Sequence, residues 1–182
     1  FVRAATPRPC GTLRSKVYSA FVKIISQNVD LSIIIKSIWR LSNKIKFRLN
    51  IKGKLEIPAG THELWANATF KTEEDSIVLF KAGSSLVIRN SSLDISNCRI
   101  VNEESPKYYN TVPLFKLENS VLTIQNCVCA ASFSKNANIF ECLNSVLNIS
   151  DSVISSIGKT FASCISSVNS KLNIKDSNYN IK

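Results

Sequence analysis

The chain has 182 residues with 45% apolar side chains, enough for one globular domain or one domain with an arm. It contains no run of eighteen apolar residues, so no membrane-spanning helix is expected. A single histidine, His62, leaves histidine-based nucleophilic triads without partners, and no glycine-rich phosphate loop is present.

The net charge of +10 divides unevenly. Residues 1–54 carry twelve Lys/Arg (among them Arg14, Lys16, Lys23, Lys36, Arg40, Lys44, Lys46 and Arg48) against Asp30 alone, or +11. The remaining residues carry eleven bases and twelve acids, or −1. That asymmetry predicts an arm that meets an anionic macromolecule such as RNA or an acidic protein, or an acidic lipid surface. The competing reading is that the charges keep an apolar helix in solution. The chain starts at Phe1 and holds no methionine, which predicts a piece of a longer product. Its basic, acid-poor beginning overlaps with organellar (mitochondrial) transit composition, and a secreted or cell-surface location is the other expectation.

Taken in order, residues 1–13 form an extended lead-in with Pro7, Pro9 and Gly11. From Arg14 to Ile45, Val17, Phe21, Ile24, Ile25, Ile34, Ile35, Ile38, Trp39 and Leu41 fall largely at helical spacing. Two short basic amphipathic helices are predicted there, broken near Asn28, with Asp30 capping the second. Residues 1–46 therefore read as a basic arm whose helices cap a repeat domain of residues 47–182. From Phe47 the pattern changes to strand-like alternation.

The clearest signal is a phrase that recurs four times. Asn90-Ser91-Ser92-Leu93-Asp94-Ile95-Ser96-Asn97-Cys98 returns from Asn119 to Cys127, from Asn144 to Ser152 and from Asn169 to Ser177, at intervals of 29, 25 and 25 residues. Each copy is a turn, an alternating Leu-x-Ile strand and a second turn, so the stacked unit is a strand. About five such rungs fit residues 47–182. Aligned copies place Leu122, Leu147 and Leu172 in one inward column and Ile124, Ile149 and Ile174 in another. Phe115, Phe140 and Ile165 form a third, Asn119, Asn144 and Asn169 a turn column, and Lys116 lies over Glu141. Gly83-Ser84-Ser85-Leu86-Val87-Ile88 resembles the phrase but leaves its rung's register ambiguous.

In this phrase and rung length the chain resembles right-handed parallel β-helix proteins, the pectin-lyase-like superfold, which includes bacterial passenger and polymorphic outer-membrane proteins. The resemblance covers about three quarters of the chain and implies an all-β solenoid. It also implies two functional alternatives: an adhesin-like surface module, or an enzyme acting on polysaccharide.

Candidate chemistry is sparse. Asp151 and Asp176 share a turn column and would be the carboxylates of a glycan-acting enzyme, although either also suits an Asx turn. His62, just after Gly60, is expected in a surface or turn role. The six cysteines lack zinc spacing; Cys98 and Cys127 share a column and read as reduced, packed thiols, with a disulfide between rungs as the alternative. The longest rung carries its excess in residues 102–111, where Tyr108 and Tyr109 offer stacking area to a sugar or a partner. No metal or cofactor is called for. The expected function is a non-enzymatic scaffold whose basic arm docks on an anionic partner.

Overall fold

The structure is a computed structural model that describes residues 22–25, 29–30, 46–73, 76–103, 112–133, 137–158 and 162–181. These residues form nineteen strands and no helix. Two short strands come first, β1 (Val22–Ile25) and β2 (Val29–Asp30). Five complete turns of three strands follow. The first turn is β3 (Lys46–Ile51), β4 (Lys54–Ile57) and β5 (Gly60–Leu64); the second is β6 (Asn67–Thr72), β7 (Ile77–Phe80) and β8 (Ser84–Arg89). The third is β9 (Ser92–Ser96), β10 (Arg99–Asn102) and β11 (Phe115–Glu118). The fourth is β12 (Val121–Gln125), β13 (Val128–Phe133) and β14 (Ala137–Leu143), and the fifth is β15 (Val146–Ser150), β16 (Val153–Gly158) and β17 (Ala162–Val168). A partial turn, β18 (Lys171–Lys175) and β19 (Asn178–Ile181), ends the stack.

The first, second and third strands of every turn belong to sheets A, B and C, and each pairs in parallel with its counterpart one turn on. The molecule is a parallel β-solenoid, as the repeat predicts. Side chains alternate across a strand, so Leu-x-Ile sends both apolar residues to one face. Leu93, Leu122, Leu147 and Leu172 occupy one file of sheet A, and Ile95, Ile124, Ile149 and Ile174 another. All but the last member of each file are buried. Sheet C supplies the aromatic file His62, Leu86, Phe115, Phe140 and Ile165. The Phe115 and Phe140 rings stack with centroids 5.6 Å apart, and Phe80 meets Phe115 edge-on at 5.0 Å.

The corners follow from asparagine. Asn90, Asn119, Asn144 and Asn169 turn the chain into sheet A, and Asn97, Asn126, Asp151 and Asp176 turn it out; all eight have φ between 47° and 59°. Among residues with a Cβ, Asn and Asp tolerate this left-handed conformation best, because the short polar side chain can satisfy the backbone locally. A small residue follows each corner and makes a ladder. Ser120 Oγ donates to Glu118 O (2.7 Å) and accepts from Ser91 N (3.3 Å); Ser145 Oγ donates to Leu143 O (2.7 Å) and accepts from Ser120 N (3.1 Å). One hydroxyl thus satisfies two backbone groups at a buried corner, where an unpaired group would cost about 1–3 kcal/mol.

Two features add to the sequence reading. Over Val22–Ile25 and Val29–Asp30, within the arm expected to be helical, the chain is strand: β1 pairs with β3, and β2 with β4. The open edge of the first turn offers a row of unpaired amides and carbonyls, and pairing with it outweighs local helical spacing. The rest of the expected helices lies outside the described residues. The segment Ser84–Arg89 is β8 of sheet C, pairing with β5 and β11, which settles the ambiguous rung.

Candidate functional site

Among the described residues the buried side chains are apolar or are Cys, Ser and Thr, so charged groups are confined to outward or partly exposed positions. On sheet A one outward file runs Arg48, Thr69, Asp94, Thr123, Asn148, Asn173, and another runs Asn50, Lys71, Ser96, Gln125, Ser150, Lys175. Asn173 Nδ2 donates to Asn148 Oδ1 at 2.7 Å, part of an amide ladder along this face. Arg48 and Lys71 are exposed diagonal neighbours on β3 and β6, and neither takes part in an ion pair among the described residues. Lys46 sits on the same strand, opposite Asn67. Lys52 and Lys54 differ, since they pair with Glu73 (2.7 Å) and Glu56 (2.5 Å).

Of the basic residues singled out in the sequence, β3 therefore brings Lys46 and Arg48 together. Lys23 falls on β1 at the register position of Leu49. Arg14, Lys16, Lys36, Arg40 and Lys44 lie outside the described residues, as do Tyr108 and Tyr109, which belong to the connection from β10 to β11. Lys71 escaped notice because it lies beyond the basic segment in sequence; its partner Asn50 is 21 residues earlier, shorter than the repeat interval.

Sheet C carries an ion-pair lattice outside. Lys116 faces Glu141 as the alignment predicts, at 3.3 Å, and reaches Glu118 at 3.5 Å. Arg89 lies 3.4 Å from Glu63 and 3.2 Å from Glu118; the latter is a charge contact at an angle poor for hydrogen bonding. The Arg89 guanidinium also covers the half-exposed Trp65 ring at 5.7 Å, and Trp65 Nε1 donates to Glu63 at 3.0 Å. These groups satisfy one another in partial contact with solvent. A double-mutant cycle on Lys116→Ala and Glu141→Ala, followed by urea unfolding, is expected to give a coupling below about 1 kcal/mol.

The catalytic candidates occupy structural positions. Asp151 and Asp176 sit at exposed corners with φ 51° and 47°, in line with Asn97 and Asn126, so the turn geometry accounts for them. Asp176 meets only its neighbour Lys175, at 3.7 Å. His62 stands on β5 rather than in a turn, half-buried at the start of the aromatic file, with Nε2 2.9 Å from the Pro58 carbonyl. Among the described residues no group of His, Cys, Asp or Glu is placed to hold a metal, and no helix is long and apolar enough to cross a membrane. Five described cysteines are buried free thiols. Burial raises Cys129 and Cys164, while burial and Glu141 together push Cys142 up to about 11.

No protein-family model matches this sequence, and no curated protein is significantly similar to it.

Proposed function

We propose that the chain is a β-solenoid scaffold that docks on an anionic macromolecule through its basic N-terminal part. The observation that carries this reading is the pair of exposed cations Arg48 and Lys71 on the outer face of sheet A, neither in an ion pair among the described residues, with Arg48 belonging to a sequence segment of charge +11. Diagonal neighbours on adjacent strands lie about 7–8 Å apart, a spacing that suits a phosphate chain or a run of carboxylates. The winding is read as right-handed, like the pectin-lyase-like superfold, because parallel crossovers take that hand in about 98% of cases.

Polyanion binding is governed by counterion release, so affinity falls steeply with salt. Titration of the full chain with single-stranded RNA is expected to show a loss of roughly three hundredfold between about 50 and 200 mM salt, if six or so phosphates are contacted. The double variant Arg48→Ala/Lys71→Ala is expected to flatten the log–log slope by about 1.5. Salt-independent binding, or a slope unmoved by the double variant, overturns the proposal.

One observation favours a second reading, an adhesin-like binding module. The outer face of sheet B carries apolar residues over several turns, interrupted by Arg99: Val128, Val153 and Ile157 are exposed, and Ile77, Leu79 and Val101 partly so. Such patches mark protein contact more often than chance. Binding that resists salt but is lost on Val128→Lys belongs to that reading.

A further inference from the structure

We propose that Cys98 and Cys127 form an oxidisable pair, at which a hydroperoxide joins the third and fourth turns through a disulfide. The two thiols follow equivalent corners, after Asn97 and Asn126, and their sulfurs lie 3.8 Å apart. Neighbouring parallel strands are about 4.8 Å apart, inside the Cα range of roughly 4.4–6.8 Å that a bridge requires. Closing the bond asks for side-chain rotation and not for a new backbone. Elsewhere the same file carries Ser152 and Ser177, whose hydroxyls serve the corner ladder. Cysteine is therefore not needed for the corner, and two adjacent cysteines add a chemistry that serine lacks.

The pair is asymmetric. Either thiol can donate in the contact between the two sulfurs, and the Cys127 thiol also reaches the Gln125 carbonyl at 3.2 Å; with Cys98 as the donor, that bond and the Cys98 amide lower Cys127 despite its burial. Cys98, holding the shared proton and buried as well, is raised. In the proposal Cys127, whose sulfur the Cys98 amide faces, is the attacking sulfur and Cys98 the resolving one. In the first step the Cys127 thiolate attacks one peroxide oxygen and the O–O bond breaks. The departing oxygen takes up a proton and leaves as water, or as alcohol from an organic hydroperoxide. Cys127 is then a sulfenic acid. Cys98 next attacks the Cys127 sulfur, the S–O bond breaks, and the Cys98 proton leaves with the oxygen as water. Two thiols lose two electrons and two protons; one peroxide bond is reduced. Exposure of 6% at Cys98 and 2% at Cys127 restricts the reaction to a small oxidant.

The bridge encloses residues 98–127, including the long connection from β10 to β11, so it fastens the one turn whose loop is extended.

The test treats the full chain, natively folded, with equimolar hydrogen peroxide. The expected product has lost the mass of two hydrogens, gives a peptide joining Cys98 to Cys127, and melts roughly 5 °C higher or more, reversibly on reduction. Cys98→Ser installs the hydroxyl that the file accepts at Ser152 and is expected to halt at a Cys127 sulfenic acid, captured by a cyclic dione. Cys127→Ser is expected to leave Cys98 unreactive. Native protein that keeps both thiols, a bridge to any other cysteine, or Cys127→Ser reacting as readily as Cys98→Ser each overturns the proposal.

Discussion

Leu147→Ala is expected to lower stability by about 2–5 kcal/mol, and Leu172→Ala, one turn on in the same file, by less than about 1 kcal/mol. The residue types and strand positions are identical, because Leu147 and Leu172 are register partners. What differs is the neighbourhood. Leu147 is 0% exposed between Leu122 and Leu172, whereas Leu172 is 38% exposed at the end of the stack. Truncation at Leu147 opens a cavity that turns on both sides hold open, so a cavity cost adds to the lost transfer energy. Truncation at Leu172 removes atoms already half in water. Ile149 and Ile174, 1% and 44% exposed, give the same contrast in the next file. Urea unfolding of the four alanine variants checks this, and equal losses at Leu147 and Leu172 would mean that the last turn is covered. Since turns contact only their neighbours, a defect in a central turn interrupts the stack, while one at the end shortens it.

This contrast was legible in the sequence only in part. The phrase around Leu93, Leu122, Leu147 and Leu172 shows the files because three things coincide there: an asparagine that allows a left-handed corner, a small residue that closes it, and alternation that sorts the faces. The earlier turns do not repeat at one length. Sheet A partners are separated by 21 residues from β3 to β6, 25 from β6 to β9 and 29 from β9 to β12. An alignment begun at Asn90 and stepped back by 25 puts Ser96 over Lys71, but the phrase itself is lost there, with Ala68 and Phe70 in place of Leu93 and Ile95, and the next step of 21 residues loses Asn50 and Arg48. Alternation around Leu86 and Ile88 is equally consistent with sheet A or C, and only pairing decides. The pairing of Val22–Ile25 was hidden for another reason: the edge of β3 is a long-range partner that local spacing does not encode. The outward candidates were least legible. Arg48 is a basic residue among many in sequence, and its distinction, an exposed strand position without an acid nearby, exists only once sheet A is assembled.

The corner asparagines admit a test that separates backbone from side chain. Asn144→Gly is expected to change stability by no more than about 0.5 kcal/mol, Asn144→Ala to cost about 1–2 kcal/mol, and Asn144→Val to cost more. Asn144 holds φ at 49°, and its side chain is exposed, so substitution there leaves no cavity. Its backbone amide donates to Val168 O at 3.1 Å, a bond available to any residue but proline. The penalty is then the steric cost of placing a Cβ in the left-handed region, highest for a β-branched residue. Within a strand the order of Gly and Ala is reversed, because glycine forfeits more chain entropy on folding. Asn126 adds a side-chain term, since its Nδ2 donates to Asn97 Oδ1 at 2.8 Å, so Asn126→Gly is expected to lose that bond where Asn144→Gly loses none. Urea midpoints that rank Ala with or above Gly at Asn144 would show that the corner relaxes out of the left-handed region, and the small residue that follows would no longer be held in its ladder.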